Sequence, residues 1–317
     1  MVDPLTLDAA APLLTPHTIE ENLPALRGGG VDAVLATVAS VESAEYALER
    51  IARWLELERE SELPIRLVRT TKELRGAKKR ADIGVVLHIQ GTDPLDGDLE
   101  LLTAFHRLGV RVVQLTYNEA NRLGDGCLES RDAGLTSFGE EVIGRLVDLG
   151  IVVDISHAGI RTSLEAVAAA KMPVVATHAN ARAVCDHPRN LTDEQIRSVA
   201  GSGGVIGLCA FPAFVSEKAP TLDDLVDHAE YIGDLVGPEH LGLGLDFAEE
   251  DEEDYDFYGY DERYYPRPPW VYPTGIRSFS DLPNVAEALL GRRFTEDEVR
   301  GILGENFLRV FRLVWGG

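Results

Sequence analysis

Nine short runs of β-branched and apolar residues recur along this chain, and segments of helical periodicity lie between most of them. The runs are Val31–Val38, Ile65–Thr70, Ile83–Ile89, Val110–Thr116, Val152–Ile155, Val174–Thr177, Gly204–Leu208 and Leu241–Leu245, with a shorter one at Leu5–Asp8. Between them, Ser43–Glu58, Leu99–Leu108, Phe138–Leu149, Asp193–Ala200 and Leu222–Val236 space their apolar residues as amphipathic helices do. The runs are apolar throughout rather than alternating, as strands covered by helices must be. An α/β (β/α)8 TIM-type barrel of about 250 residues plus extensions fits this pattern best. An open doubly wound sheet is the alternative, and it is weakened because no GxGxxG follows the early strands. Nine runs compete for eight places, and Ile65–Thr70 is assigned outside the barrel. The 317 residues are expected to form a single barrel domain, 1–317.

In a parallel barrel the active site lies at the C-terminal strand ends, so polar residues that close an apolar run point into the catalytic mouth. His157 closes "VVDISHAG", His178 closes "VVATHANA" and Asp246 closes "LGLGLDF". Two imidazoles on adjacent strand ends with a carboxylate across the mouth are a divalent-metal pattern. Taken singly, a histidine at a strand end is more often a hydrogen-bonded structural residue, and an aspartate in a turn is usually a cap.

Charge narrows the partners. Asp and Glu number 53 against 30 Lys and Arg, a net charge of −23, and only five of the bases are lysines. Nucleic acid is excluded as a partner because phosphate binding needs clustered positive charge. A lysine-poor acidic surface suits a halophilic protein, whose self-repulsion is screened by salt. Cys127, Cys185 and Cys209 are far apart and form no CxxC pair, so a reducing compartment is expected. The N-terminal "MVDPLTLDAAAPLL" has no basic region and too short an apolar run for a signal peptide, and no stretch is long enough to span a membrane. The expectation is a cytoplasmic protein with no membrane contact.

Several blocks carry a more specific signal. "GVRVVQLTYNEAN", "GLTSFGEEVIGRLVDLGIVVDISHAG", "PVVATHANARAVCDHPRNLTDEQIRSVAGSGGVIGL", "HAEYIGDLVGPEHLGLGLDF" and "LLGRRFTEDEVRGILGENFLRVF" resemble, in order, the blocks of the membrane (renal) dipeptidase family. The resemblance spans residues 80 to 312, with a weaker echo before that. It implies a zinc-dependent (β/α)8 dipeptidase in which a glutamate bridges two metals. On this resemblance His157 and His178 match the histidines of one metal site. Asp246 matches the aspartate that binds the other metal and handles protons, and Arg189 of "HPRN" matches the arginine that holds a substrate carboxylate.

Other positions depart from the family pattern. Gln90 of "HIQG" stands where the bridging glutamate belongs, and a neutral amide cannot bridge two cations with charge compensation. Ala10 and Pro12 occupy the places of an H-x-D pair on the first strand. Tyr117 of "LTYN" replaces the substrate-facing histidine, and the glycine usually found after D-F-D is missing, since Phe247 is followed by Ala248. The expectation is therefore one zinc ion at most, on His157 and His178, completed by Asp246, Gln90 or water. Asp246 would act as general base and Arg189 would orient an anionic substrate end. His88, on the same strand face as Gln90, is a candidate replacement ligand or a core histidine. Two function classes stand: a hydrolase of dipeptides or a related small amide, and a catalytically silent barrel that serves as a binding or scaffold protein.

Residues 248–275, "AEEDEEDYDFYGYDERYYPRPPWVYPTG", follow the last strand, where barrel enzymes build lids over the mouth. The first eight residues are expected to be a solvated, partly disordered acidic loop. The aromatic second half is expected to be ordered, packed on the barrel or on a second copy of the chain in a homodimer.

Overall fold

The computed structural model describes residues 4–316. Its strands are β1 (Leu7–Asp8), β2 (Ala33–Ala39), β3 (Ile65–Leu67), β4 (Ile83–Ile89), β5 (Val110–Gln114), β6 (Val152–Asp154), β7 (Ile206–Leu208) and β8 (Leu241–Leu243). All pairings among them are parallel, in the order β1-β2-β4-β5-β6 and, separately, β7-β8. Residues 174–177 join the two sheets: Val175 N bonds Val153 O at 3.0 Å and Gly207 N bonds Ala176 O at 2.8 Å. On the other side Ala9 N bonds Leu243 O at 2.8 Å and Asp246 N bonds Ala10 O at 3.0 Å, which closes the ring. The result is an eight-stranded parallel barrel wrapped by helices, a TIM-type fold.

The ninth run lies outside that ring, as its assignment required. β3 pairs with the start of β4, Ile65 opposite Ile83 to Leu67 opposite Val85, whereas β5 takes over β4 only from Leu87 onward.

Side chains of one parity fill the barrel in layers. Leu35, Val86, Val112, Val152 and Val175 form an apolar layer, and the helix Asn306–Trp315 plugs the bottom beneath it with Phe307 and Phe311. Two residues further along the strands the same face carries His88, Gln114, Asp154 and Thr177, all fully buried. This polar layer sits under the mouth and explains why the ladders stop short of the expected strand ends. Asp154 Oδ1 accepts from Ser156 N at 2.9 Å and Thr177 N at 3.0 Å, and Asp8 Oδ1 accepts from Leu245 N at 2.8 Å. Amides that would extend a ladder are taken by carboxylates instead. For the same reason 174–177 makes isolated bridges rather than a continuous strand.

Two glycines let the ladder close tightly here. A Cβ on Gly207 would lie 1.9 Å from the Thr177 carbonyl oxygen, and one on Gly244 would lie 1.8 Å from it. Only glycine allows β7 and the end of β8 to approach the backbone that carries His178.

The acidic segment departs from expectation. Its first residues build the helix Glu252–Phe257, because the Asp251 carboxylate caps the amides of Glu253 and Asp254 at 2.8 and 3.0 Å. Acidic residues crowd the first turn, where the helix dipole favours them. Tyr255 is buried and its hydroxyl donates to Tyr265 O at 2.8 Å.

Candidate functional site

His157 and Asp246 share an uncommon backbone state. Their φ angles are +62° and +57°, in the left-handed region that side-chain-bearing residues seldom adopt. Neighbouring bonds hold both. The His157 carbonyl accepts from Cys127 N at 2.7 Å, and the Asp246 carbonyl accepts from the Tyr272 hydroxyl at 2.8 Å. Such conformations persist only where surrounding structure enforces them, and here they turn each side chain off the end of its strand.

The two histidines meet. Their Nε2 atoms are 2.9 Å apart and both rings are buried. The outer nitrogens are anchored. Thr177 donates its hydroxyl to Asp154 Oδ2 at 2.5 Å, so its oxygen accepts from His178 Nδ1–H at 2.8 Å. Asn118 Oδ1 accepts from the Tyr265 hydroxyl and from His157 Nδ1–H, each at 2.8 Å. With both protons on Nδ1, both Nε2 atoms are bare and aim lone pairs at one another. Burial, then the Arg189 charge, holds both imidazoles well below the usual histidine range, so they are neutral at pH 7. Neutral rings with anchored outer nitrogens and converging bare ones are in the state that binds a cation.

Asp154 terminates one of these relays. Its burial would raise its carboxyl, but the adjacent His88 imidazole, then His178 and the Thr177 hydroxyl, bring it down to about 2. His88 Nε2 lies 3.3 Å from Asp154 Oδ2, and neither His88 nitrogen has an aligned hydrogen-bond partner. His88 therefore belongs to the polar layer under the site rather than to its opening.

A cavity of about 300 Å³ opens above, lined by Gln90, Tyr117, His157 and Asp246, with Glu250, Tyr258, Tyr260, Tyr265 and Trp270 contributed from 248–275. His178 and Arg189 are buried and are not among the residues that line it. Asp246 is walled in on its inner side, and burial pushes its carboxyl up to about 6 against the opposing charge of Arg189. Arg189 is 2% exposed. Its Nη2 donates to His178 O at 3.1 Å, its carbon centre sits 5.1 Å over the Phe214 ring, and its Nε has no partner. A buried guanidinium without a carboxylate partner calls for an anion.

The opposite quarter of the mouth is differently furnished. Ala10 offers only a methyl group and is fully buried, Pro12 lines the cavity with its ring, and Gln90 Nε2 is engaged to Thr37 Oγ1 at 2.9 Å. Among the described residues no three His, Cys, Asp or Glu side chains converge as a ligand set. The residues present fit one ion on His157 and His178, whose remaining positions would fall to solvent or substrate. They do not fit a second.

Sequence reasoning missed the anchors Asn118 and Thr177 and the wall Glu250, Tyr258 and Tyr260. Asn118 and Thr177 each directly adjoin a singled-out residue, Tyr117 and His178. The wall was legible only as an ordered aromatic stretch over the mouth, not as these individual residues.

Comparison with known proteins identifies the family. The family described as membrane dipeptidase (Peptidase family M19) matches residues 5–257. Dipeptidase aclJ of Aspergillus oryzae is 30% identical over 233 residues, 72% of this chain and 51% of that protein. Human dipeptidase 3 is 29% identical over 257 residues, 79% of this chain and 48% of that protein. The chain thus spans about half the length of these two curated relatives. A crystal structure of an amidohydrolase from Pseudomonas aeruginosa superposes with a TM-score of 0.90 at 32% identity, covering 100% of this chain and 98% of the other. The matched family model and relatives, together with the barrel, place this chain in the membrane dipeptidase family of metallopeptidases, Peptidase family M19.

Proposed function

We propose that this chain hydrolyses dipeptides or a related small amide with a single zinc ion at most, held by His157 and His178. The observation that carries the reading is the pair of bare Nε2 atoms 2.9 Å apart, each ring braced from behind. When bound there, zinc supplies Lewis-acid polarisation of the scissile carbonyl. The chain's own groups do the rest. Asp246, with its carboxyl at about 6, is ionised at neutral pH yet basic enough to take a proton from an attacking water. Arg189 neutralises the substrate carboxylate, and Tyr117, stacked on His157 at 4.3 Å, shapes the pocket where the family carries a histidine. Residues 1–317 act as one barrel domain with 248–275 over its mouth, in a salty, reducing cytoplasm, and no helix among the described residues is long and apolar enough to cross a membrane.

A silent scaffold is the second reading, favoured by Ala10, Pro12 and Gln90. The two are separated by assaying the wild type and the Ala10→His/Pro12→Asp/Gln90→Glu variant on a dipeptide panel with added zinc. The hydrolase reading expects slow wild-type turnover that His178→Ala abolishes, and faster turnover in the triple variant, whose three changes act as a unit. Zinc-independent or undetectable wild-type turnover would overturn it. Turnover near the ordinary enzyme value of about 10 per second would show that the centre is not degenerate.

A further inference from the structure

The cavity over His157 has an unusual wall. Tyr117, Tyr258 and Tyr260 stand in a triangle with ring centroids 5.9, 6.5 and 5.6 Å apart. Their hydroxyls run into carboxylates: Tyr117 bonds Tyr260 at 2.8 Å, Tyr260 donates to Glu250 Oε1 at 3.3 Å, and Tyr258 donates to Glu42 Oε1 at 3.2 Å. Glu250 Oε2 is buried and has no hydrogen-bond partner. Acids outnumber bases around the cavity, with Glu42, Asp246, Glu249, Glu250 and Asp254 against Arg50, and Arg50 already donates to the Tyr46 hydroxyl.

This wall needs what the site reading does not supply. Aromatic faces backed by carboxylates attract a cation, because the ring quadrupole and the charge act in the same direction. Burial, then the neighbouring Asp246, Asp254 and Asp251, pushes Glu250 up to about 8, against the bond from Tyr260. The crowding that opposes another negative charge there favours a positive one. Arg189, buried behind His178 with its Nη2 on the His178 carbonyl, has no carboxylate partner and suits an anionic end. The site is thus polarised, anion-seeking on the Arg189 side and cation-seeking at its wall.

We propose that the preferred substrates are bipolar, with a carboxylate directed to Arg189 and an ammonium or guanidinium side chain seated on Tyr117, Tyr258 and Tyr260 beside Glu250. Basic dipeptides are then favoured over aliphatic ones of the same length. This rests on the placement of the substrate in the mouth described above, and its test does not require turnover. L-Lysine and L-norleucine share backbone and chain length and differ by the ε-ammonium, and neither has a peptide bond to cleave. Each is titrated calorimetrically into the full chain at pH 8.5 in molar potassium chloride, which shortens the reach of the general acidic field to about 3 Å. Lysine should bind about tenfold more tightly than norleucine, and Glu250→Gln and Tyr258→Leu should each bring the ratio towards one. Equal affinities, tighter norleucine, no binding of either, or a ratio unmoved in both variants would overturn the proposal. If the chain proves unable to hydrolyse any dipeptide while the lysine preference stands, only the catalytic reading falls.

Discussion

The two sides of the barrel mouth are built from the same kind of strand end and furnished in opposite ways. On the β6 and 174–177 side, each imidazole is backed by a hydrogen-bonded partner, and one relay reaches the buried Asp154. On the β1 and β4 side, Ala10, Pro12 and Gln90 present a methyl group, a ring and an amide already engaged to Thr37. On the single-ion reading proposed above, this barrel keeps one half of a metal centre and has lost the other. Each strand end is positioned by its own ladder and by the side chain beneath it, so one quarter can be refurnished without disturbing another.

The sharpest way to break the comparison is to remove a donor from each side. His178→Ala should lower zinc affinity by more than about 100-fold, since an ion would lose one of two protein nitrogens, whereas Gln90→Ala should change it little; competition with a chromogenic chelator measures both. A comparable loss in Gln90→Ala would show that the amide leaves Thr37 and joins the site. The braces come next. Thr177→Val and Asn118→Ala should each weaken zinc by about 10- to 100-fold while leaving the direct ligands in place.

Much of this was legible in the residues. The barrel was readable because Val31–Val38, Ile83–Ile89 and their like are predominantly apolar, and the mouth because His157, His178 and Asp246 each end such a run. Strand length was not. Thr177 and Leu245 lie past their ladders because the Asp154 and Asp8 carboxylates take their backbone amides, contacts between residues distant in sequence. The acidic segment was misjudged for the opposite reason. A local rule, Asp251 capping Glu253 and Asp254, overrode the repulsion that composition implied. The tyrosine wall depends on how 248–275 folds back, and no periodicity encodes that.

Buried carboxyls extend the comparison to pH. Asp8, under the β1 side, is pushed up to about 7, by burial first and then by Asp246, against the lowering bonds from Leu245 and Ala10 amides. A carboxyl whose folded value lies above its unfolded one stabilises the fold below pH 4 and loses that contribution as pH rises towards 7. Asp8→Asn should therefore gain on the wild type by about 2 kcal/mol between pH 5 and pH 8 in urea unfolding. Parallel stability curves for the two proteins would show that Asp8 is ionised in the folded state.

The smallest effect expected is that of salt. With a net charge of −23, the fold should melt higher in molar potassium chloride than in dilute buffer, as self-repulsion is screened. A flat or falling melting temperature would remove the case for a halophilic surface.

If one side of this mouth holds an ion and the other does not, zinc stoichiometry shows it. The full chain is loaded with zinc, dialysed and analysed for zinc per chain, alongside His157→Ala. No more than one equivalent is expected in the wild type and none in the variant. Two equivalents retained by the wild type would mean that the β1 and β4 side has ligands after all, and would contradict the single-ion reading.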